Sequence, residues 1–219
     1  MKTIFFDLDG TLTNSKKGII NALKQGFSKI QQPAPADSVL QLFIGPALTD
    51  SLKQQVGITD PATIKTFIAG FHAYYSAKGW AENEVYPGIM TLLKTLKAAD
   101  YQLAIATAKP ESFAKRISAH FGFDAYLAEL AAATDDEITR TQKADVLAYG
   151  MQQLNLTNPK DVAMVGDRNS DIHGGQVNAT KTVGVLYGFG SETELTQAGA
   201  DILVPTVAEL QQVLLDWRF

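Results

Sequence analysis

The sequence predicts an α/β protein: a parallel sheet covered by helices on both faces and interrupted once by a helical insertion. Three observations predict it. Short, nearly continuous apolar runs rich in Ile, Val, Phe or Tyr alternate with stretches of helical periodicity, as expected for strands buried on both faces. Acidic and hydroxyl residues recur where those runs stop. One interval between consecutive strands is about three times the roughly 30 residues that a strand–helix–strand unit takes.

The first strand is Thr3–Leu8, and the next apolar run does not begin until Tyr101. Within that interval Gly88–Ala98, with Ile89, Leu92, Leu93 and Leu96 on one helix face, is enough for the crossover. The rest is surplus and is expected to fold as its own helical unit. Its helices would be Lys17–Ile30, Ala36–Phe43, Leu48–Gln55 and Pro61–Ala77, joined through connectors at Thr13–Lys16 and Ala81–Pro87. The domain reading is therefore 1–13 with 84–219 as the core and 14–83 as the insertion. After Tyr101–Thr107 come a helical run at Gln142–Gln153 and strands at Asp161–Gly166, Lys181–Tyr187 and Ala200–Pro205. Ser191 with Glu194 and Thr206 with Glu209 read as capping boxes. Val207, Leu210 and Leu214 mark the face of the last helix.

Composition narrows the function classes. Of 219 residues 46% are hydrophobic and 19% charged, which supplies a core and excludes disordered, collagen-like and coiled-coil chains. No run of about eighteen apolar residues is available to span a membrane. The opening MKTIFFDLDG meets acid before a secretory apolar region develops, so no signal peptide is expected. The absence of cysteine excludes disulfides, thiolate metal sites and cysteine nucleophiles. A net charge of −4 lacks the basic balance of a nucleic-acid binder. The expectation is a cytoplasmic protein with neither nucleic-acid nor membrane partners. Charge is uneven: residues 14–80 hold seven lysines against three aspartates, net +4, leaving −8 elsewhere. A basic lid over an acidic site would suit an anionic substrate bound with a cation; the alternative is that these lysines solvate helix faces.

Four islands of chemistry stand at strand or helix ends. In Asp7-Leu8-Asp9-Gly10-Thr11-Leu12, alternation along an extended chain sets Asp7 and Asp9 on one side with Leu8 turned inward. Two carboxylates so close repel unless a proton or a cation intervenes, and a hard cation such as Mg2+ would serve; the structural alternative, a helix cap, needs only one of them. In Ala106-Thr107-Ala108-Lys109-Pro110, Thr107 either caps a helix or donates to a phosphoryl oxygen, and Pro110 suits the first turn of a helix. Lys143 lies near a helix start, where a cation opposes the macrodipole unless an anion is near. In Val165-Gly166-Asp167-Arg168-Asn169-Ser170-Asp171, the two aspartates are about one helical turn apart and can face one point. His72, His120 and His173 are scattered, and neither a P-loop nor a G-x-G-x-x-G fingerprint occurs.

Together these residues resemble the haloacid dehalogenase superfamily, which consists mainly of phosphatases. Asp7–Leu12 resembles its first motif, DxDGTL; Thr107 and Lys143 match the second and third, and Asp167 with Asp171 matches the GDxxxD form of the fourth. The order is the expected one and spans the chain. The insertion resembles the helical type C1 cap on a Rossmann-like core. Lys78-Gly79-Trp80 through Glu84-Val85-Tyr86-Pro87-Gly88 looks like the phosphoglycolate phosphatase-like group, whose members are also labelled 5′-nucleotidase-like. Two positions depart: Asn14 stands where many relatives have Asp, and Ala108 replaces the common Asn of the second motif.

The resemblance implies a Mg2+-dependent phosphatase acting on a small phosphorylated metabolite. Asp7 would be the nucleophile and Asp9 the acid and base. Mg2+ would be held by Asp7, the backbone carbonyl of Asp9 and Asp167, with Asp171 in support. Thr107 and Lys143 would hold non-bridging oxygens, with Gly10 and Ala108 in the phosphate and substrate contacts. Ile44-Gly45-Pro46 is the expected cap loop reaching the site. Asp9 argues against a dehalogenase, which has no leaving alkoxide to protonate. A phosphosugar mutase of the β-phosphoglucomutase type and a noncatalytic phosphate-binding protein are the alternatives.

Overall fold

The computed structural model describes residues 1–45, 48–136 and 139–217; Pro46 of the expected cap loop lies outside them. Strand β1 (Thr3–Phe6) leads into the short β2 (Thr13–Asn14), followed by helices α1 (Lys16–Lys29), α2 (Asp37–Leu40), α3 (Leu48–Val56) and α4 (Pro61–Ala77) and the short β3 (Glu84–Val85). The remainder runs α5 (Ile89–Ala98), β4 (Gln102–Pro110), α6 (Glu111–Phe121), β5 (Glu129–Ala133), α7 (Lys143–Gln153) and β6 (Val162–Gly166). It ends with α8 (Asn169–Val177), β7 (Lys181–Val185), α9 (Glu192–Gln197), β8 (Ile202–Val204) and α10 (Val207–Asp216). The chain divides into two compact units, 1–13 with 85–219 and 14–84. The second join was expected one residue earlier, between 83 and 84. The two joining segments, β2 and β3, form a two-stranded sheet. Among the described residues no helix is long and apolar enough to cross a membrane.

The larger unit carries a six-stranded sheet in the order β5-β4-β1-β6-β7-β8, every pairing parallel. Successive side chains on a strand point to opposite faces. Phe5, Ala104, Ala106 and Met164 pack in one cluster with Val146 and Leu147 of α7. The alternate residues Ile4, Phe6, Leu103, Ile105, Ala163 and Val165 are equally buried, so both faces of the sheet are covered. The chain builds outward from β1 through β4 to β5, then returns to the far side of β1 with β6. Ligands bind outside the carboxyl ends of strands at such a reversal; Asp7 and Asp167 follow directly on β1 and β6, and Thr107 is the last residue of β4 before its register shift.

β5 was not expected. Its sequence, Glu-Leu-Ala-Ala-Ala, lacks the β-branched and aromatic residues that mark strands. Small residues are needed there because α7 packs tightly above: a Cβ on Gly150 would press on Ala131 and on the Phe5 ring. The expected Ala36–Phe43 helix is instead one turn, α2, followed by a 3-10 turn at Gln41–Phe43.

In the smaller unit α1 and α4 pack closely where Gly26 meets the Phe67 ring and Gly70 meets Lys29. Phe27 stands edge-on to Phe67, with ring centroids 4.9 Å apart. α4 begins with Asp60 accepting from Thr63 N at 2.8 Å and Pro61 in its first turn.

Candidate functional site

The chain turns as soon as β1 ends. The Leu8 carbonyl accepts from Leu12 N (3.0 Å) and Thr13 N (2.9 Å), and Gly10 N donates to Thr13 O (2.7 Å). Leu8 is buried as expected, and because β1 ends at Phe6 both Asp7 and Asp9 lie beyond the regular strand. Asp7 remains in register with β6 through its N–H to Val165 O (2.8 Å), and its carboxylate meets Lys143. Asp9 pairs with Lys109 instead.

Asp7, Asp167 and Asp171 each bring a buried carboxylate oxygen within 4.8 Å of the others. Lys143 opens α7 inside this cluster. Its Nζ lies 2.7 Å from Asp7 Oδ1 and 2.7 Å from Asp171 Oδ1, and it donates to Ala106 O at 3.0 Å. These anions are what a lysine in the first turn of a helix requires. A Cβ on Gly174 of α8 would strike the Lys143 side chain, so that glycine lets the two helices close on the ammonium.

Asp167 is held from two further segments. Thr11 Oγ1 donates to its Oδ1 at 3.3 Å and Phe189 N to its Oδ2 at 2.7 Å. Gly10, at φ +84°, approaches the Asp167 carboxylate where no Cβ would fit, and Gly188 and Gly190 close over the same residue. Tyr187 donates to Thr11 O at 3.2 Å, and the Tyr86 ring stands edge-on to it with centroids 5.0 Å apart.

Burial pushes the Asp167 carboxyl up, and Asp171 and Asp7 add to the effect, reaching about 8. Burial also raises Asp171, to about 6, with Lys143 pulling the other way. On Lys143 burial acts downward, but the carboxylates of Asp171 and Asp7 together outweigh it and its pKa is raised. Lys143 meets two of the three clustered carboxylates, Asp7 and Asp171, and Asp167 adds a third acidic group beside them. Asp7 Oδ1 and Asp171 Oδ1 are buried and both face the Lys143 ammonium at 2.7 Å. This all-oxygen donor set fits a hard divalent cation.

Thr107, expected to end its strand, is buried within β4 just before the register shift, and its hydroxyl accepts from Lys109 N at 3.3 Å; Ala108 beside it is exposed. Pro110 closes β4 and precedes α6 rather than entering its first turn. The structure thus gathers Asp7, Asp167, Asp171 and Lys143, with Gly10 against Asp167, and pairs Asp9 with Lys109. None of the three histidines joins the described cluster. Lys109, Thr11, Tyr187 and Phe189 are contributors that sequence reasoning did not assign to the site. Gly188-Phe189-Gly190, two glycines around an aromatic just past a strand end, was the available signal for one segment. Lys109 and Thr11 lie inside the Ala106–Pro110 and Asp7–Leu12 motifs, where residue type alone does not mark them.

The family described as haloacid dehalogenase-like hydrolase matches residues 4–185. Tyrosine-protein kinase PtkA of Mycobacterium tuberculosis is 35% identical over 213 residues, covering 96% of this chain and 72% of that protein. A 5′-nucleotidase of Pseudomonas aeruginosa is 34% identical over 211 residues, covering 96% and 94%. Among solved structures, a predicted phosphatase from Clostridium acetobutylicum superposes with a TM-score of 0.90 at 38% identity, covering 98% of each chain.

Proposed function

The chain belongs to the haloacid dehalogenase-like hydrolase family, and from that premise we propose that it is a Mg2+-dependent phosphatase. Its substrate is a small phosphate monoester of the phosphoglycolate, nucleoside monophosphate or sugar phosphate class, hydrolysed through an aspartyl-phosphate in the cytoplasm. The observation that carries this reading is the convergence of Asp7, Asp167 and Asp171 on one another, with Lys143 bridging Asp7 and Asp171, at the carboxyl ends of the central strands.

Asp7, Asp167 and the backbone carbonyl of Asp9 would hold the cation, with Asp171 in support. When bound, Mg2+ offsets the repulsion between the carboxylates and the phosphoryl oxygens. A carboxylate oxygen of Asp7 attacks phosphorus and the alkoxide departs, taking a proton from Asp9, so one hard displacement becomes two easier ones. Asp9, now ionised, takes a proton from water, which attacks the phosphorus and frees Asp7; acid–base help of this kind is worth about 10²–10⁴ in rate. Lys143 and the Thr107 hydroxyl steady the charge on the non-bridging oxygens, and Gly10 and Ala108 leave room for the phosphoryl group.

The test is phosphate release from a panel of phosphorylated compounds, with Mg2+ and with a chelator. The panel includes phosphoglycolate, nucleoside monophosphates, hexose phosphates and pyrophosphate. Magnesium-dependent release from at least one member is expected. An isomeric hexose phosphate without free phosphate would establish a mutase, and binding without turnover a noncatalytic protein. Because one relative is named a tyrosine kinase, a tyrosine peptide with ATP belongs in the panel; label appearing only there would replace hydrolysis with transfer.

A further inference from the structure

We propose that Glu194, in the first turn of α9, is a positioning residue for the cation site: it caps α8 from a different helix and so fixes the turn between Asp167 and Asp171. The inference rests on the cation-binding part of the proposed function.

Helix α8 begins at Asn169, preceded by Arg168. That preceding position calls for a side-chain oxygen to accept the first free N–H groups of the helix, and a guanidinium has only donors to offer. Glu194 supplies the missing acceptor. Its Oε1 takes the Asn169 N–H at 2.9 Å and the Arg168 Nε–H at 2.9 Å. The same turn is closed from the other end, where Arg168 N donates to Asp171 Oδ2 at 3.0 Å. That bond leaves Asp171 Oδ1 to face Lys143. One continuous set of contacts therefore runs from Glu194 through the 168–169 backbone to Asp171 and on to Lys143 and Asp7.

Glu194 is itself well fixed. Its N–H donates to Ser191 Oγ at 3.1 Å, and its neighbour Leu195 is fully buried. The capping box expected for α9 is realised in its Ser191 half, whereas the Glu194 carboxylate serves α8. The segment leading into α9 also grips Asp167, with Phe189 N on its carboxylate and Gly190 against its carbonyl. Partners behind the ligands of a metal set their orientation, and their loss costs about 10–100-fold in affinity.

The experiment is calorimetric titration of the full chain with Mg2+, comparing wild type with two variants. Glu194→Asp keeps the charge but draws the carboxylate back from Asn169 N, and should weaken Mg2+ binding about tenfold. Glu194→Gln loses the charge but keeps an acceptor oxygen in place, and should stay within about threefold of wild type. Thr206→Ala, which removes the α10 cap, controls for lost stability: it should lower the melting temperature in chelator without changing affinity. Equal affinity in wild type and Glu194→Asp overturns the inference alone. A greater loss in Glu194→Gln than in Glu194→Asp also overturns it, since charge rather than placement would then govern. A wild type that takes up no Mg2+ removes the cation site, and the inference with it.

Discussion

Lys109 and Asp9, a hundred positions apart in the chain, form a shielded ion pair, with side chains 6% and 20% exposed. The register shift between Thr107 and Pro110 sets Lys109 there, its N–H on the Thr107 hydroxyl. Asp9 Oδ1 has no hydrogen bond, so Lys109 is what orients this carboxylate toward its proposed acid–base task. Lys109→Met should lower kcat by about 10–100-fold, part of the full value of acid–base help, with an unchanged circular dichroism spectrum. An unaltered kcat would remove Lys109 from the mechanism.

Asp7→Asn tests the nucleophile. The side chain keeps its size and place beside Lys143 but cannot form an acyl phosphate. The variant should fold, lose turnover and yield no acid-stable phosphoenzyme after quenching with labelled substrate. Full activity would refute the assignment.

The raised carboxyls predict how pH acts on the metal-free protein. A carboxyl whose pKa is higher folded than unfolded binds its proton more tightly in the native state, so stability falls as pH climbs between the two values. For Asp171 that window runs from 3.8 to about 6, and for Asp167 from 3.8 to about 8. Melting temperature in chelator should therefore decline from pH 5 to pH 8, as the unfolding free energy falls by at most about 1.4 kcal/mol per pH unit for each group. Saturating Mg2+ should flatten the decline, and Asp167→Asn should abolish its upper part. A metal-free melting temperature that rises across this range would contradict the burial of these groups.

Gly10→Ala places a methyl group against the Asp167 carboxylate and forces a residue with a Cβ to φ +84°. Together these should cost about 1–3 kcal/mol of stability and weaken Mg2+ binding, measured by urea unfolding and calorimetry. Gly122→Ala, also at positive φ but with open space around it, should lose stability while keeping its affinity.

Much of the fold was legible because its strands are apolar on both faces and its helices carry their own periodicity. Pro61–Ala77 was read to the residue. β5 was not legible, since alanine says little about strands and its place depends on Gly150 and Phe5 from other elements. The Asp7, Thr107, Lys143 and Asp167–Asp171 islands stood out because each ends a strand or opens a helix. Glu194 did not, because a local cap on Ser191 explained it equally well in one dimension.

The sequence by itself determined the sheet-forming segments, the helical insertion and the types of chemical group available, because periodicity and strand-end position are properties of neighbouring residues. Only the tertiary structure decided which groups meet: that Lys143 bridges Asp7 and Asp171, that Asp9 turns to Lys109, and that α8 borrows its cap from α9. Such pairings join residues tens to a hundred and more positions apart. They arise when burial leaves a charge or an N–H group without water, so that it must be met by whatever the packed chain brings alongside.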